Sequence, residues 1–221
     1  MSSTVGSKSG VGLVAHAHAA TIGRTYPDDL DPFRRATGDL AVGADGLLNR
    51  VDEKVKSQFY TPAGLPSAVE PEARAWRQEL VRWRQRHVDP LASQERALLA
   101  EASKPAPARA EELIVKALRH REIRDRFAAL TDAVDKQLAV DRLAAAGDAD
   151  ALNAIGQAPF APLVDPAVLA KARQRMAAAA SPELVRVQTL KGANEQVLAV
   201  AGEEFRAVLT RFGIELDGQP K

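Results

Sequence analysis

Residues 182–212 read PELVRVQTLKGANEQVLAVAGEEFRAVLTRF, and their periodicity decides the fold class. Leu184, Val187, Lys191, Asn194, Leu198, Ala201, Phe205, Val208 and Phe212 follow one another at intervals of three and four residues. A helix of 3.6 residues per turn places such positions on one face, and the alternation of three and four is that of a coiled-coil seam. Ser181-Pro182 offers a capping hydroxyl and a proline at the first helical position, and Gly213 supplies the stop. Two seam positions are polar. Lys191 and Asn194 therefore read as register-setting residues, and Leu184, Val187, Leu198, Phe205 and Val208 as packing residues. Their partner is either a second copy of the chain or other helices of the same chain.

Moving upstream, three more acid-Pro pairs, Glu70-Pro71, Asp89-Pro90 and Asp165-Pro166, predict helix starts by the same capping logic. The first helix runs to about His87 with Trp76, Leu80 and Trp83 on one face, and the second from Leu91 to about Ala102. Ser103-Lys104-Pro105-Ala106-Pro107 breaks the chain. From about Arg109 to Ala146 the spacing of Ile123, Phe127, Leu130, Val134 and Leu138 predicts one amphipathic helix ended by Gly147. Asp148 caps a short helix to Ile155, Pro159 and Pro162 impose a loop around Phe160, and Ala167 to Ala180 form a further helix. No alternating apolar and polar run of strand length competes, so the class is all-α, a multi-helix bundle with a long C-terminal helix.

The first third reads differently. Glycine, proline, serine and threonine punctuate residues 1–70, which are expected to be an irregular arm with one short helix at about 45–60 carrying Leu48, Val51, Val55 and Phe59. Residues 71–221 then form the helical domain. The 42 alanines of the 221 residues read as helix-forming filler rather than core bulk.

Charge and composition narrow the function. Thirty basic side chains against 29 acidic ones leave a net charge of +1, so no global field draws the chain to nucleic acid or an anionic membrane. With no cysteine there is no disulfide framework, thiolate nucleophile or cysteine metal site. No run reaches the roughly 18–20 apolar residues of a membrane span.

Candidate chemistry is sparse. Gly10-Val11-Gly12-Leu13-Val14-Ala15 matches a dinucleotide-binding pattern but lacks the preceding strand that would aim it, and reads as chance. His16 and His18 form a pair without a third ligand at a recognisable spacing. No nucleophile elbow is present. The chain is accordingly expected not to be an enzyme and to need no cofactor. Arg74, Arg77, Arg82, Arg84 and Arg86 accompany Trp76 and Trp83, a combination able to neutralise phosphates and stack on bases. The seven-residue spacing of the tryptophans and the interleaved Glu72 and Glu79 favour a core-facing pair with a charged outer surface.

Glu122-Ile123-Arg124-Asp125-Arg126-Phe127, then residues 146–155 and Ala158-Pro159-Phe160, resemble helical proteins of uncharacterised role encoded among bacteriophage and prophage structural genes. The likeness spans about Leu113 to Glu183. It implies a virion or assembly role in which the chain contacts copies of itself and other structural proteins, in the virion or the host cytoplasm. It transfers no catalytic residue. The alternative is a cytoplasmic nucleic-acid-binding or regulatory helical module using the arginine and tryptophan helix.

Overall fold

In a computed structural model of the chain, residues 9–57, 59–102, 110–159 and 161–214 are described. They form helices α1 (Gly10–Thr25), α2 (Pro27–Lys56), α3 (Leu65–His87), α4 (Asp89–Ala102), α5 (Ala110–Ala128), α6 (Ala133–Ala145), α7 (Ala149–Gly156), α8 (Pro166–Ala180) and α9 (Pro182–Phe212). No strand occurs among the described residues. The break read at residues 103–107 and the loop residue Phe160 lie outside them.

The chain divides into two units, Met1–Gln94 with Arg186–Lys221, and Glu95–Val185, not at residue 70. The irregular arm is corrected at the same time, because α1 and α2 occupy most of it. Alanines share their core positions with larger side chains. Val11, Ala15, Ala19 and Ile22 of α1 and Phe33, Ala36, Leu40, Ala44, Leu47 and Val51 of α2 are all buried at helical spacing. Pro27 at the first turn of α2 costs nothing there.

What holds α1 in place comes from distant sequence. The Ser9 side chain accepts from Val11 N at 3.1 Å as an N-cap. Glu204 of α9 receives the Ser9 hydroxyl at 2.6 Å and the Gly10 amide at 2.5 Å, and Asp45 of α2 receives the Ser9 amide at 2.9 Å. A carboxylate at a helix N-terminus satisfies its unpaired N–H groups and complements the helix dipole.

These bonds also set directions within the first unit. Glu204 meets Ser9 and Arg186 meets Asp29, so α9 runs antiparallel to α1. Arg211 approaches Asp52 at 4.0 Å, so α9 runs parallel to α2. Arg50 pairs with Glu72 and Trp83 donates to the Ala36 carbonyl, so α2 and α3 are antiparallel. The result is an up-down-up-down four-helix bundle of α1, α2, α3 and α9, with residues 95–185 entering the sequence between its third and fourth helices. Gly43 lets α3 approach closely, since a Cβ there would lie 2.6 Å from Cζ3 of the buried Trp76.

The second unit builds its own core from Phe127, Val140, Leu152, Ile155, Leu169 and Ala172. The single helix read over 109–146 is two. Its amphipathic stripe ends at Leu130, and the Asp132 carboxylate caps α6 by accepting from Val134 N at 2.7 Å. The redirected chain leaves Val134 and Leu138 exposed instead of continuing the Phe127 face. Asp148 and Asp165 cap α7 and α8 as their positions suggest, and Gly147 adopts φ +71°, a left-handed conformation suited to glycine. Glu70-Pro71 is not a start, for α3 already begins at Leu65.

Candidate interaction surfaces

The α9 seam is not a free surface. Ala193, Val197, Ala201, Phe205, Val208 and Leu209 are buried in the four-helix core, with Leu198 packed against it. Leu184 and Val187 are buried as well. Of the packing residues read as candidates for a second copy, Leu184, Val187, Phe205 and Val208 are therefore buried within the chain and Leu198 partly so. Lys191 lies 3.8 Å from Glu195, one turn along the same helix.

Asn194 finds its partner within the chain. It is 7% exposed, and its side-chain amide donates to the His87 carbonyl at 3.3 Å. That carbonyl belongs to the last turn of α3, whose acceptors have no partner inside the helix. Asn194 thus ties α9 to the end of α3. Around this junction a cavity of about 260 Å³ is lined by Phe33, His87, Leu91, Leu190 and Asn194 among others. At its rim Arg186 forms a two-pronged pair with Asp29, at 2.6 and 2.7 Å. The hydrogen bond from Arg186 holds the Asp29 carboxyl below its usual range, against the opposing effect of burial.

His87 sits 5.0 Å from Trp83, ring centre to ring centre. Burial pushes its imidazole below the ordinary value, Arg86 adds to that, and Asp39 opposes it. The fold therefore prefers neutral His87. Its contribution to stability is complete above the unfolded value of about 6.5 and is lost as pH falls towards the lower folded value. Urea unfolding of the wild type is expected to show a lower midpoint at pH 5 than at pH 7.5, with a smaller difference in His87→Gln. An equal pH dependence in the two proteins would remove His87 as its source.

The arginines of α3 are largely engaged. Arg74 bonds Glu70 at 2.6 Å, Arg82 lies 3.8 Å from Glu79, Arg86 pairs with Glu79, and Arg84 lies 3.5 Å from Asp89. Arg77 is half-buried and also has a partner. Trp76 and Trp83 are buried in the bundle and present no face for stacking. His16 is exposed on α1, while His18 Nε2 lies 2.6 Å from Gln196 Oε1. The pair shares no ligand position, and among the described residues no group of three His, Asp or Glu side chains is placed to hold a metal ion. The glycine pattern at Gly10 lies within the first turns of α1.

The surface that sequence reading passes over is on α5. Lys116 reaches Asp150 at 2.8 Å, Arg119 reaches Asp148 at 3.0 Å, and His120 Nε2 lies 3.0 Å from Asp150, so this side of α5 faces α7. Burial works to raise Asp150, but hydrogen bonds from Lys116 and His120 outweigh it and hold the carboxyl below its usual range. Away from that side, Ile114, Val115 and Leu118 are 66%, 67% and 64% exposed. The signal was the run Leu113-Ile114-Val115 with Leu118 a turn on. Reading 109–146 as one helix directs attention to the Ile123 and Phe127 stripe instead.

No family model, curated protein or solved structure matches the chain. Among the described residues no helix is long and apolar enough to cross a membrane.

Proposed function

We propose that the chain is a non-enzymatic helical structural or assembly protein that makes oligomeric contacts, and that it serves as a bacteriophage virion component of the head, neck or tail. The observation that supports this most is the apolar side of α5, where Ile114, Val115 and Leu118 each leave about two thirds of their surface in water. Clustered exposed aliphatic side chains are a common mark of a protein contact surface. The resemblance of the segment around α5 to α8 to proteins of phage structural gene clusters points the same way. The nucleic-acid reading finds less support, since the α3 arginines engage carboxylates and the tryptophans are buried.

Light scattering coupled to size exclusion tests the proposal. The wild type is expected to form a defined oligomer that Ile114→Glu with Leu118→Glu dissociates, while helical content stays unchanged. Burying three such side chains on each copy corresponds to about 1.5–3 kcal/mol per side chain, enough that two charges at the contact abolish it. A wild type that stays monomeric at high concentration and binds no particle protein would overturn the reading.

A further inference from the structure

We propose that the second unit carries a binding site for a small monocarboxylic acid with an apolar body, anchored by Arg173 of α8. A guanidinium keeps its charge at every accessible pH, so a half-buried one needs compensation. Arg173 receives only neutral partners: its Nη2 donates to the Leu152 carbonyl at 3.2 Å and to Asn153 Oδ1 at 3.1 Å. Its buried Nε has no hydrogen-bond partner. Among the described residues no carboxylate stands within ion-pair distance of it, whereas the half-buried Arg186 has Asp29. Gly156 of α7 leaves room for the guanidinium, because a Cβ there would lie 2.6 Å from Nη2.

The space beside it suits an acid with a hydrocarbon portion. A cavity of about 400 Å³ is lined by Leu99, Met176 and Ala177 on its apolar part and by Asn153, Arg173 and Gln174 on its polar part. Among the described residues Arg173 is the only charged one that lines it. The volume falls in the usual range for small-ligand sites, which pair apolar walls with a few convergent polar groups. Gln174 donates to Glu95 at 3.4 Å, which leaves Arg173 and Asn153 as the anion's donors. The Asn153 carbonyl oxygen is occupied by Arg173, so the amide nitrogen is the end that remains to donate. A carboxylate there would meet a guanidinium and an amide donor together, the charge-assisted arrangement that neutral acceptors do not provide.

The site does not depend on the assembly reading, and its test has a separate readout. Isothermal titration calorimetry on the full chain compares octanoate with octanol, which shares the chain but not the charge. Octanoate is expected to bind and octanol to bind at least ten-fold more weakly, the discrimination a charged hydrogen-bond pair supplies. Arg173→Met, which keeps much of the stem, is expected to abolish that preference. Asn153→Asp supplies the missing carboxylate from within, so it is expected to raise the thermal midpoint while weakening octanoate at least ten-fold. If Arg173→Met fails to fold, Asn153→Asp carries the test. No heat with octanoate, equal binding of octanol, or unchanged octanoate affinity in a folded variant would overturn the proposal.

Discussion

Trp83→Ala is expected to lower the unfolding free energy by about 3–5 kcal/mol, the cost of deleting a large aromatic side chain from a packed core. Trp83 is 2% exposed, and its indole N–H donates to the Ala36 carbonyl at 3.0 Å within the bundle. The truncation removes both the ring and the one directional bond it makes from α3 to α2. Such a loss is a large share of the 5–15 kcal/mol by which domains are stable. Trp83→Phe separates the two contributions, keeping much of the volume and losing the donor, with an expected cost nearer 1–2 kcal/mol. Urea unfolding followed by circular dichroism checks both. A Trp83→Ala cost below 1 kcal/mol would mean that the ring does not close the core between α2 and α3.

That core shows what the sequence makes legible and what it conceals. The C-terminal helix, the ends of α3 and α4, and the capped starts of α7 and α8 were readable because Asp148, Asp165, Ser181-Pro182 and Gly213 act on their own neighbours. The helices α1 and α2 were not, because their buried stripes run through Ala15, Ala19, Ala36 and Ala44, residues whose helical preference hides their role as contact surface. Small residues permit close helix approach, as Gly43 does under Trp76, and in a bundle they are core rather than filler. Pro32 and the glycines of α2 look like breaks locally, yet burial of Phe33, Leu40, Leu47 and Val51 outweighs their cost. The bonds that Glu204 accepts from Ser9 and Gly10 span 195 and 194 residues, the one that Asp45 accepts from Ser9 spans 36, and none has a local signature.

The candidate surfaces follow the same division. Asn194 was recognisable as a polar interruption of an apolar stripe, but its acceptor, the His87 carbonyl, lies 107 residues away in the chain. Whether the stripe served a neighbouring molecule or the chain itself could not be decided from spacing, since both solutions use the same period. Arg173 carries no pattern at all. Its distinction is a buried Nε without a hydrogen-bond partner beside two neutral acceptors, which only the packing of α7 against α8 reveals.

The second large effect is expected at Leu152→Ala, with a loss of about 2–5 kcal/mol confined to the second unit. Leu152 is fully buried, and α7, only eight residues long, contributes Ala151, Leu152, Ala154 and Ile155 to the interior. A short helix is marginal by itself and is kept by what it packs against, so its central leucine has few substitutes. The protein provides its own reporter, because both tryptophans, Trp76 and Trp83, belong to the first unit. Circular dichroism reports helices of both units, whereas tryptophan fluorescence reports the first. The two core clusters share no residue, so Leu152→Ala is expected to shift part of the dichroism transition to lower urea and leave the fluorescence midpoint in place. Trp83→Ala is expected to do the reverse to the fluorescence of the remaining Trp76. A common shift of both signals in Leu152→Ala would show instead that α4 and α9, each of which contributes residues to both units, carry the cost of the cavity across the chain.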